Sequence, residues 1–359
     1  MSYIAAITTA VPAYCHKQKD TALFYANTTN DPNTQRKINV VAQKSGIEQR
    51  YSILKDFSTT VVNDLSFFAQ NSSLQPMPTI TQRMAVYKQE ALQLALAVVL
   101  KIKNFKQIKN TITHVISVTC TGLFAPGLDI ELIQHLKLSP TTQRSSVNFM
   151  GCNAAILALK QADAICNSTP NATVLVVCVE LCTLHFQTDY SDDYIVSNML
   201  FADGAAATLI TTNAPQAPYY KGVKITNFNS LLVHKGSSDM AWQLSETGFV
   251  MNLSSYVSSL INGEMQQLLA ALNIDVTSVD NWAIHPGGKK ILDEFCTTLQ
   301  LHPQQLQASY EILRNYGNMS SVTILFVLQQ IIQNKTGSNI FVAGFGPGLS
   351  IETMRINYV

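Results

Sequence analysis

The fold is decided by residues 149–179, which read FMGCNAAILALKQADAICNSTPNATVLVVCV. A Gly-Cys turn is followed by helical spacing of apolar residues over Asn153–Ile165 and then by a β-branched run at Val174–Val179. A turn, a helix and a strand in this order predict an α/β unit in which the helix packs on a sheet.

Residues 315–343 repeat the same order of elements. They read NYGNMSSVTILFVLQQIIQNKTGSNIFVA, with a polar turn at Asn318, a helical segment and a strand that begins at Ile340. In both copies the strand begins 22 residues after the turn residue, which is Cys152 in the first copy and Asn318 in the second. This self-similarity predicts a duplicated α/β fold. A Pro-containing loop places the boundary between the halves, so we predict one half over residues 1–212 and the other over 213–359.

Composition excludes several classes of function. The chain has 24 Lys and Arg against 23 Asp and Glu, and this net charge of +1 supplies no field for nucleic acid or an anionic membrane. Only 13% of the residues are charged, which makes a homo-oligomer plausible. The apolar runs are shorter than the roughly 18 residues that a membrane span needs. Seven irregularly spaced cysteines and no export signal predict a cytoplasmic protein with reduced thiols.

Three residues at the turns form a candidate catalytic set. Cys152 opens a helix, where the macrodipole and free N–H groups favour a thiolate. Asn318 holds the equivalent position in the second copy, and His285 ends a strand just before a Pro-Gly-Gly turn. Packing of the two halves could therefore bring a nucleophile, an imidazole and an amide together. Taken singly, Cys152 could be a buried small hydrophobe, His285 a core histidine and Asn318 a helix cap.

Two other motifs resemble cofactor sites but lack what such sites need. Gly344–Gly348 follow a strand, as a dinucleotide loop does, but Leu349–Ile356 predict another strand where a phosphate-binding helix would be required. Cys178, Cys182 and His185 have near-ligand spacing, yet Cys178 lies within an apolar strand and no second ligand pair is present. We therefore expect no bound metal and no cofactor.

Five motifs together resemble the type III polyketide synthases, the chalcone-synthase-like family of the thiolase-fold condensing enzymes. They are Phe149-Met150-Gly151-Cys152, Leu200-Phe201-Ala202-Asp203-Gly204-Ala205-Ala206-Ala207, Ile284-His285-Pro286-Gly287-Gly288, Tyr316-Gly317-Asn318-Met319-Ser320-Ser321 and Gly344-Phe345-Gly346-Pro347-Gly348-Leu349. The match covers nearly the whole chain. It implies a thiolase-like, duplicated αβαβα layered fold, a homodimer, and condensation of malonyl-CoA onto an acyl-CoA starter without a carrier protein.

The resemblance also implies roles for individual residues. Cys152 is then the nucleophile, His285 and Asn318 are its partners, and Phe201 is a gatekeeper beside it. Lysines fall where the family binds CoA, at Lys37, Lys44 and Lys290. Lys37 and Lys44 are seven residues apart, which would place them on one face of a helix.

Departures from the plant members of the family concern the substrate pocket. Cys120 replaces a Thr, Ala125 replaces a Met that reaches across the dimer, His185 replaces a cavity-lining Thr, and Met251 replaces a second gatekeeper Phe. A Cys at position 120 resembles the pattern of the bacterial alkylpyrone and alkylresorcinol synthases. We therefore predict a medium or long aliphatic starter and a pyrone or resorcinol-type product, although the polar ring of His185 would favour a shorter or polar starter.

Two alternatives to an iterative synthase stay open at this point. A ketoacyl synthase III-like enzyme shares the Cys, His and Asn set but makes a single condensation and takes malonate from a carrier protein. A non-catalytic acyl-binding relative would have kept the fold and lost the reaction.

Overall fold

The computed structural model describes residues 2–213, 222–236, 240–253, 257–334 and 337–358, and the side chains of 236, 251–253, 258, 259 and 262 lie outside that description. Strands alternate with helices along the chain, as the sequence predicts. The strands are β1 (Tyr3–Ala10), β2 (Tyr14–Lys17), β3 (Gln49–Ser52), β4 (His114–Thr119), β5 (Gln143–Asn148), β6 (Thr173–Leu181), β7 (Asp203–Thr211), β8 (Val223–Leu232), β9 (Met240–Ser245), β10 (Gly248–Leu253), β11 (Asn281–Ile284), β12 (Asn339–Gly346) and β13 (Ser350–Tyr358). The helices are α1 (Gln18–Ala26), α2 (Pro32–Lys44), α3 (Ile80–Leu100), α4 (Phe105–Ile108), α5 (Leu128–Leu136), α6 (Ala154–Ser168), α7 (Asp192–Leu200), α8 (Val257–Ala271), α9 (Lys289–Thr298), α10 (Gln307–Tyr316) and α11 (Thr323–Asn334).

The two halves of the chain build the large sheet in the same way. In the first half β4 pairs in parallel with β6, and β6 and β1 pair antiparallel with β7 on its two sides. In the second half β11 pairs in parallel with β12, and β12 and β8 pair antiparallel with β13. β5 extends the first half beside β4, and the halves join where β1 meets β8 at Tyr3 and Lys224. The repeated pairing order confirms the predicted duplication.

Two buried helices form the layer between the halves. α6 contacts β4, β6 and β7 of the first half and β12 and β13 of the second, while α11 contacts β11 as well as β1 and β7. Every residue of α11 from Thr323 to Leu328 is buried, and a helix that is apolar on most sides must be covered on more than one side. α3 and α5 pack on the outer face of the first half, and α8 and α9 share a core with β11 and β12. The order of layers is therefore outer helices, first-half strands, central helices, second-half strands and outer helices. This is the predicted αβαβα arrangement.

The structure places the repeated turns as the sequence predicts. Cys152 directly precedes α6, and Asn318 precedes the short 3-10 turn Ser320–Val322 that leads into α11. The interval from Cys152 to the start of β6 equals the interval from Asn318 to the start of β12. The glycine-rich segment Gly344–Gly348 forms the end of β12 and the start of the turn to β13, and a strand, not a helix, follows it. The domain boundary at residues 212 and 213 stays a prediction.

The longest helix among the described residues, α3, has 21 residues and carries Arg83, Lys88 and Glu90 along its length. It packs on β1, β6 and β7. In the part of the chain that the structure describes, no helix combines the length and apolar character needed to cross a bilayer.

Leu159 tests the central layer. Its side chain is fully buried on α6, so Leu159→Ala should lower the free energy of unfolding by about 2–5 kcal/mol through lost contacts and a cavity. Leu100→Ala, at the 58% exposed end of α3, is the matched control and should change it by less than about 0.5 kcal/mol. Urea unfolding measures both, and equal losses for the two variants would contradict a buried central layer.

Candidate active site

The candidate nucleophile lies in a tight turn between β5 and α6. Gly151, just before it, has a φ of +82°, and a Cβ at this position would lie 2.1 Å from Cδ of Pro347. A Cβ on Gly346 would lie 2.6 Å from the carbonyl oxygen of Met150. The glycines therefore allow the turn after β12 to pack directly against the nucleophile turn, which brings the second half to Cys152.

Asn318 reaches this site from the second half. Its backbone N–H donates to the carbonyl of Leu200 at 3.0 Å, and its carbonyl accepts from the N–H of Ala202 at 2.9 Å. Its side-chain Oδ1 accepts from the N–H of Ser320 at 2.8 Å. With Oδ1 occupied, the amide NH2 is the group left to donate, and its proximity lowers the pKa of the Cys152 thiol. The structure thus brings these two predicted residues together.

His285 follows β11 and is 1% exposed. Its backbone N–H donates to the carbonyl of Ala343 at 2.8 Å, which fixes the residue at the end of the sheet. Neither ring nitrogen has a hydrogen-bond partner among the described residues. Burial lowers the pKa of the ring to about 3, so His285 is neutral with its hydrogen-bonding capacity unused.

Burial opposes the thiolate expected at Cys152. It is the largest of the causes that together raise the pKa of the thiol to about 12; the negative charge of Glu180 also raises this pKa, whereas the nearby side chains of Ser320 and Asn318 lower it. The predicted support from the imidazole is also missing, because the described structure has no hydrogen bond between His285 and Cys152. Loss of water outweighs the helix terminus, whose effect is usually about 0.3–1 kcal/mol.

Glu180, on β6, is a residue that the sequence analysis missed. Its Oε2 accepts from the N–H of Cys120 at 2.9 Å and from the hydroxyl of Thr121 at 2.8 Å, and its Oε1 accepts from the hydroxyl of Ser321. It thereby ties the turn after β4 to the turn that carries Asn318. Burial raises the pKa of this carboxyl to about 7. A single carboxylate in the otherwise apolar strand β6 was the signal that could have found it.

A small cavity surrounds the nucleophile, and we call it the nucleophile cavity. Cys152, Cys120 and Cys182 line it together with Phe201 and Trp242, and its water-accessible volume is about 20 Å³. Two of the predicted pocket residues, Cys120 and Phe201, thus line the cavity that contains Cys152. The Sγ of Cys120 accepts a hydrogen bond from the Gly151 N–H at 3.1 Å, so Cys120 also holds the nucleophile turn.

A second cavity adjoins the first. It shares Cys182, Phe201 and Trp242 with the nucleophile cavity, and its water-accessible volume is about 40 Å³, enough for a few water molecules. Aromatic rings make up much of its wall, and Arg50 and Ser197 also line it. The three shared side chains form the partition between the two cavities.

His185 lines the second cavity as a locked ring. Its Nε2–H donates to the carbonyl of Thr121 at 2.8 Å, and its Nδ1 accepts from the N–H of Phe249 at 3.1 Å. The ring stacks on Phe249 with centroids 4.3 Å apart, and burial lowers its pKa to about 3. Both nitrogens are occupied, so His185 holds the β9–β10 hairpin over the site and offers no free group to a polar starter.

Two predicted pocket residues are not placed in a cavity. Ala125 is exposed in the loop before α5, and it lines neither cavity within one chain. The backbone of Met251 lies on β10 opposite Trp242, but its side chain lies outside the described structure. Their roles in the substrate pocket stay predictions.

The predicted CoA lysines lie on two helices. Lys37 and Lys44 share α2, as predicted, and Lys37 forms an ion pair with Asp192 of α7. Lys290 lies in the first turn of α9 and pairs with Glu294 at 3.7 Å. The sequence analysis missed its neighbour Lys289. A Cβ on Gly46, two residues after Lys44, would lie 3.1 Å from the Lys289 side chain, so the ends of α2 and α9 meet.

Arg50, on β3, was also missed. Its Nη1 donates to the carbonyls of Asn198, at 2.8 Å, and Phe201. A Cβ on Gly317 would lie 2.9 Å from its side chain, so its stem packs against the turn before Asn318. Arg50 therefore fixes Phe201 and Asn318 relative to each other. The local sequence of the Gln49–Ser52 strand does not predict such long-range contacts.

Metal-binding geometry is absent from the described residues. Among them, no group of three or more His, Cys, Asp or Glu side chains is placed to hold a metal ion.

Comparisons with known proteins give consistent matches. The model of chalcone and stilbene synthases, N-terminal domain, matches residues 1–214, and that of the C-terminal domain matches residues 225–359. The chain is 30% identical to alpha-pyrone synthesis polyketide synthase-like Pks18 of Mycobacterium tuberculosis, over 100% of this chain and 92% of that protein. It is 28% identical to probable polyketide synthase 1 of Dictyostelium discoideum, over 98% of this chain and 11% of that protein.

Two solved structures are similar over the whole chain. The C-terminal type III polyketide synthase domain of Steely1 from Dictyostelium has a TM-score of 0.92 at 26% identity, covering 100% of this chain and 99% of that one. PKS-I of the brown alga Ectocarpus siliculosus has a TM-score of 0.91 at 23% identity, covering 100% and 98%, which shows a shared fold.

The charge of Glu180 should control the reactivity of Cys152. Because a nearby carboxylate disfavours a second negative charge, Glu180→Gln should lower the pKa of the thiol and speed its alkylation by iodoacetamide at a fixed alkaline pH. Peptide-resolved mass spectrometry across a pH series separates Cys152 from the exposed Cys15. Glu48→Gln, on the surface, should leave the alkylation profile unchanged. An unchanged or raised apparent pKa in Glu180→Gln would contradict the assignment.

Proposed function

Because the chain belongs to the chalcone and stilbene synthase family of type III polyketide synthases, we propose that it extends an acyl-CoA starter by repeated condensation with malonyl-CoA through a thioester on Cys152. Members of this family are condensing acyltransferases that use CoA thioesters and need no added cofactor. The observation that carries the residue assignment is the pair of backbone hydrogen bonds that join Asn318 to Leu200 and Ala202, on either side of Phe201, which lines the nucleophile cavity with Cys152. The matches over both family domains favour this synthase over a ketoacyl synthase III-like enzyme.

The first step loads the starter on Cys152. The sulfur attacks the thioester carbonyl, the bond from that carbon to the CoA sulfur breaks, and CoA leaves as a thiol. The thiol proton moves to His285, whose ring is neutral with both nitrogens unpartnered among the described residues, and then to the departing CoA sulfur. Burial disfavours a resting thiolate–imidazolium pair, so the proton moves together with the attack.

The second step uses His285 and Asn318 as hydrogen-bond donors to malonyl-CoA. Loss of CO2 breaks a carbon–carbon bond and leaves an enolate whose charge lies on the thioester oxygen. The Asn318 NH2 is oriented by the Ser320 N–H on its Oδ1, and the free imidazole supplies an N–H. Such preorganised donors stabilise the enolate. The enolate carbon then attacks the acyl carbonyl, the bond to the Cys152 sulfur breaks, and the extended β-ketoacyl-CoA can return to Cys152.

We propose a medium or long aliphatic starter whose chain crosses the partition into the second cavity. The rings of Phe57, Phe186 and Phe249 provide an apolar wall there, and each buried CH2 contributes up to ~0.8 kcal/mol. The open space is about 40 Å³ in the ligand-free protein, so the chain must widen the cavity as it enters. The similarity to alpha-pyrone synthesis polyketide synthase-like Pks18 of Mycobacterium tuberculosis supports an α-pyrone product.

The CoA phosphates are proposed to lie where α2 and α9 meet. Lys44, Lys289 and Lys290 bring three ammonium groups to the ends of these helices. In the free chain Lys37, Lys289 and Lys290 form ion pairs with Asp192, Asp293 and Glu294, and the phosphates would have to compete with these carboxylates. Since the net charge of +1 gives no general attraction for phosphates, a local cluster is needed.

A homodimer is proposed from the edge of the large sheet. β5 lies at one end of the strand order and pairs with β4 on one side. Most of its residues are exposed or half-buried, and an uncovered strand edge offers free backbone groups to a second copy. Ala125 lies in an exposed loop of the same half, where a partner chain can cover it.

We also propose a reducing compartment, the cytoplasm. All seven cysteines are free thiols in the structure, and five of them are buried. Free buried thiols are typical of proteins that stay in such a compartment.

The roles of Cys152, His285 and Asn318, which we call the triad, are tested by measuring acylation and decarboxylation separately. Cys152→Ala should form no covalent acyl adduct, and Asn318→Ala and His285→Ala should each slow the conversion of malonyl-CoA to acetyl-CoA by on the order of 10²-fold. Intact-mass spectrometry and product chromatography measure the two steps. Asn334→Ala, an exposed matched control on α11, should decarboxylate at the wild-type rate. Wild-type decarboxylation in both triad variants, or an inert Cys152 in the wild type, would favour the non-catalytic relative.

The route of the starter is tested by blocking the partition. In the wild type, kcat/KM should rise by up to about fourfold per added CH2 until the cavity is filled. Cys182→Phe should lower kcat/KM most for the longer starters, because Cys182 borders both cavities. Cys120→Phe should lower kcat/KM for all starters alike, since Cys120 lines the nucleophile cavity but not the second cavity. A length profile that is flat in the wild type, or that survives Cys182→Phe, rules this route out.

A further inference from the structure

Two residues that line the second cavity have polar side-chain atoms without a hydrogen-bond partner among the described residues. Arg50 and Ser197 both line it. The Nε and Nη2 atoms of Arg50 and the Oγ of Ser197 are buried without a hydrogen-bond partner among the described residues. Native proteins satisfy most buried polar groups, so an unpartnered set at one cavity calls for a ligand.

We infer that Arg50 and Ser197 form a subsite that binds the keto oxygens of the growing polyketide chain, an inference that rests on the proposed function. An aliphatic starter carries no oxygen beyond its thioester. Each condensation converts the previous thioester carbonyl into a ketone, so the chain acquires neutral oxygen acceptors only after extension begins. The subsite therefore distinguishes extended chains from starters.

The guanidinium of Arg50 has one committed side and one free edge. Its Nη1 is held by the carbonyls of Asn198 and Phe201, which fixes the plane of the group. The Nε–H and Nη2–H lie along one edge of that plane, the fork that binds two oxygens at once. The spacing of alternate carbonyls in a β-diketone suits such a fork.

Ser197 adds a hydroxyl to the same wall. It lies on α7 directly before Asn198, whose carbonyl oxygen is 2.8 Å from Nη1 of Arg50. This contact brings the two side chains to one region of the cavity. Phe57 and Phe186 also line the cavity, so the site combines an apolar wall for alkyl carbons with donors for oxygen.

The charges around Arg50 favour a neutral oxygen over a carboxylate. Asp203 acts on Arg50 electrostatically, and its own carboxylate accepts from the N–H and hydroxyl of Thr183 at 2.8 and 2.6 Å. The pKa of Asp203 is raised to about 6 by burial, so it is mostly ionised at neutral pH and offsets the charge of Arg50. A ligand carboxylate would then be a second buried negative charge without a counterion.

The experiment compares the binding of matched acyl-CoA pairs in the Cys152→Ala background, where no acyl transfer intervenes. The probes are saturated acyl-CoA and acyl-CoA of equal length with one ketone at the third, fifth or seventh carbon. An acyl-CoA with a terminal carboxylate is a third probe. Isothermal titration calorimetry gives the ratio of affinities for oxo and saturated chains. Ser197→Ala and Arg50→Lys are the test variants, and Ser191→Ala, an exposed serine directly before α7, is the matched control.

We expect at least one oxo position to bind about tenfold tighter than the saturated chain, a ratio typical of hydrogen bonds to a charged donor. The ratio should fall toward one in Ser197→Ala and Arg50→Lys and persist in Ser191→Ala. Equal affinities at every position, a preference for the terminal carboxylate, or a ratio that survives in Ser197→Ala overturns the inference. Ser197→Ala removes only an unpartnered hydroxyl, so it keeps the test decisive even where Arg50→Lys disturbs Phe201.

Turnover of saturated acyl-CoA with malonyl-CoA by the wild type separates this inference from the proposed function. If the wild type condenses saturated acyl-CoA with malonyl-CoA but shows no preference for oxo chains, the subsite is contradicted and the proposed function stands. If oxo chains bind more tightly than saturated chains but no condensation occurs, the proposed function is contradicted and Arg50 and Ser197 still form a binding site for oxo chains.

Discussion

Two backbone hydrogen bonds between the Phe201 and Asn318 segments determine the geometry of the site. The Asn318 N–H donates to Leu200, and the Ala202 N–H donates to Asn318, so the two segments form a short parallel bridge between the halves. Arg50 braces the bridge from one side through the Phe201 carbonyl. Because the nucleophile belongs to one half and the amide to the other, their distance depends on this bridge.

Burial sets the chemistry of the resting site. Burial disfavours both the thiolate of Cys152 and the imidazolium of His285, because each charged form loses water inside the protein. His185, also neutral, spends both nitrogens on holding the hairpin. The three buried residues thus have different tasks although burial acts on each of them.

Much of the fold and part of the site could be predicted from the sequence. The equal intervals after Cys152 and Asn318 predicted the duplication because equivalent helices need equivalent lengths to span the same sheet. Glu180 could have been noticed as a lone carboxylate in an apolar strand, but its contacts and those of Arg50 could not be predicted, because their partners lie more than fifty residues away in the chain. The burial that opposes a thiolate at Cys152 could not be predicted for a related reason: a helix start is visible in the sequence, whereas the depth of burial depends on the other half.

The account depends on a covalent relay through Cys152. Mixing the protein with a saturated acyl-CoA, adding malonyl-CoA, and following intact and peptide-resolved masses over time measures that relay most directly. The account predicts a starter adduct on Cys152, followed on the same residue by adducts heavier by successive ketide units. Product formation with no adduct on Cys152, or with the adduct on Cys120 or Cys182, would contradict it.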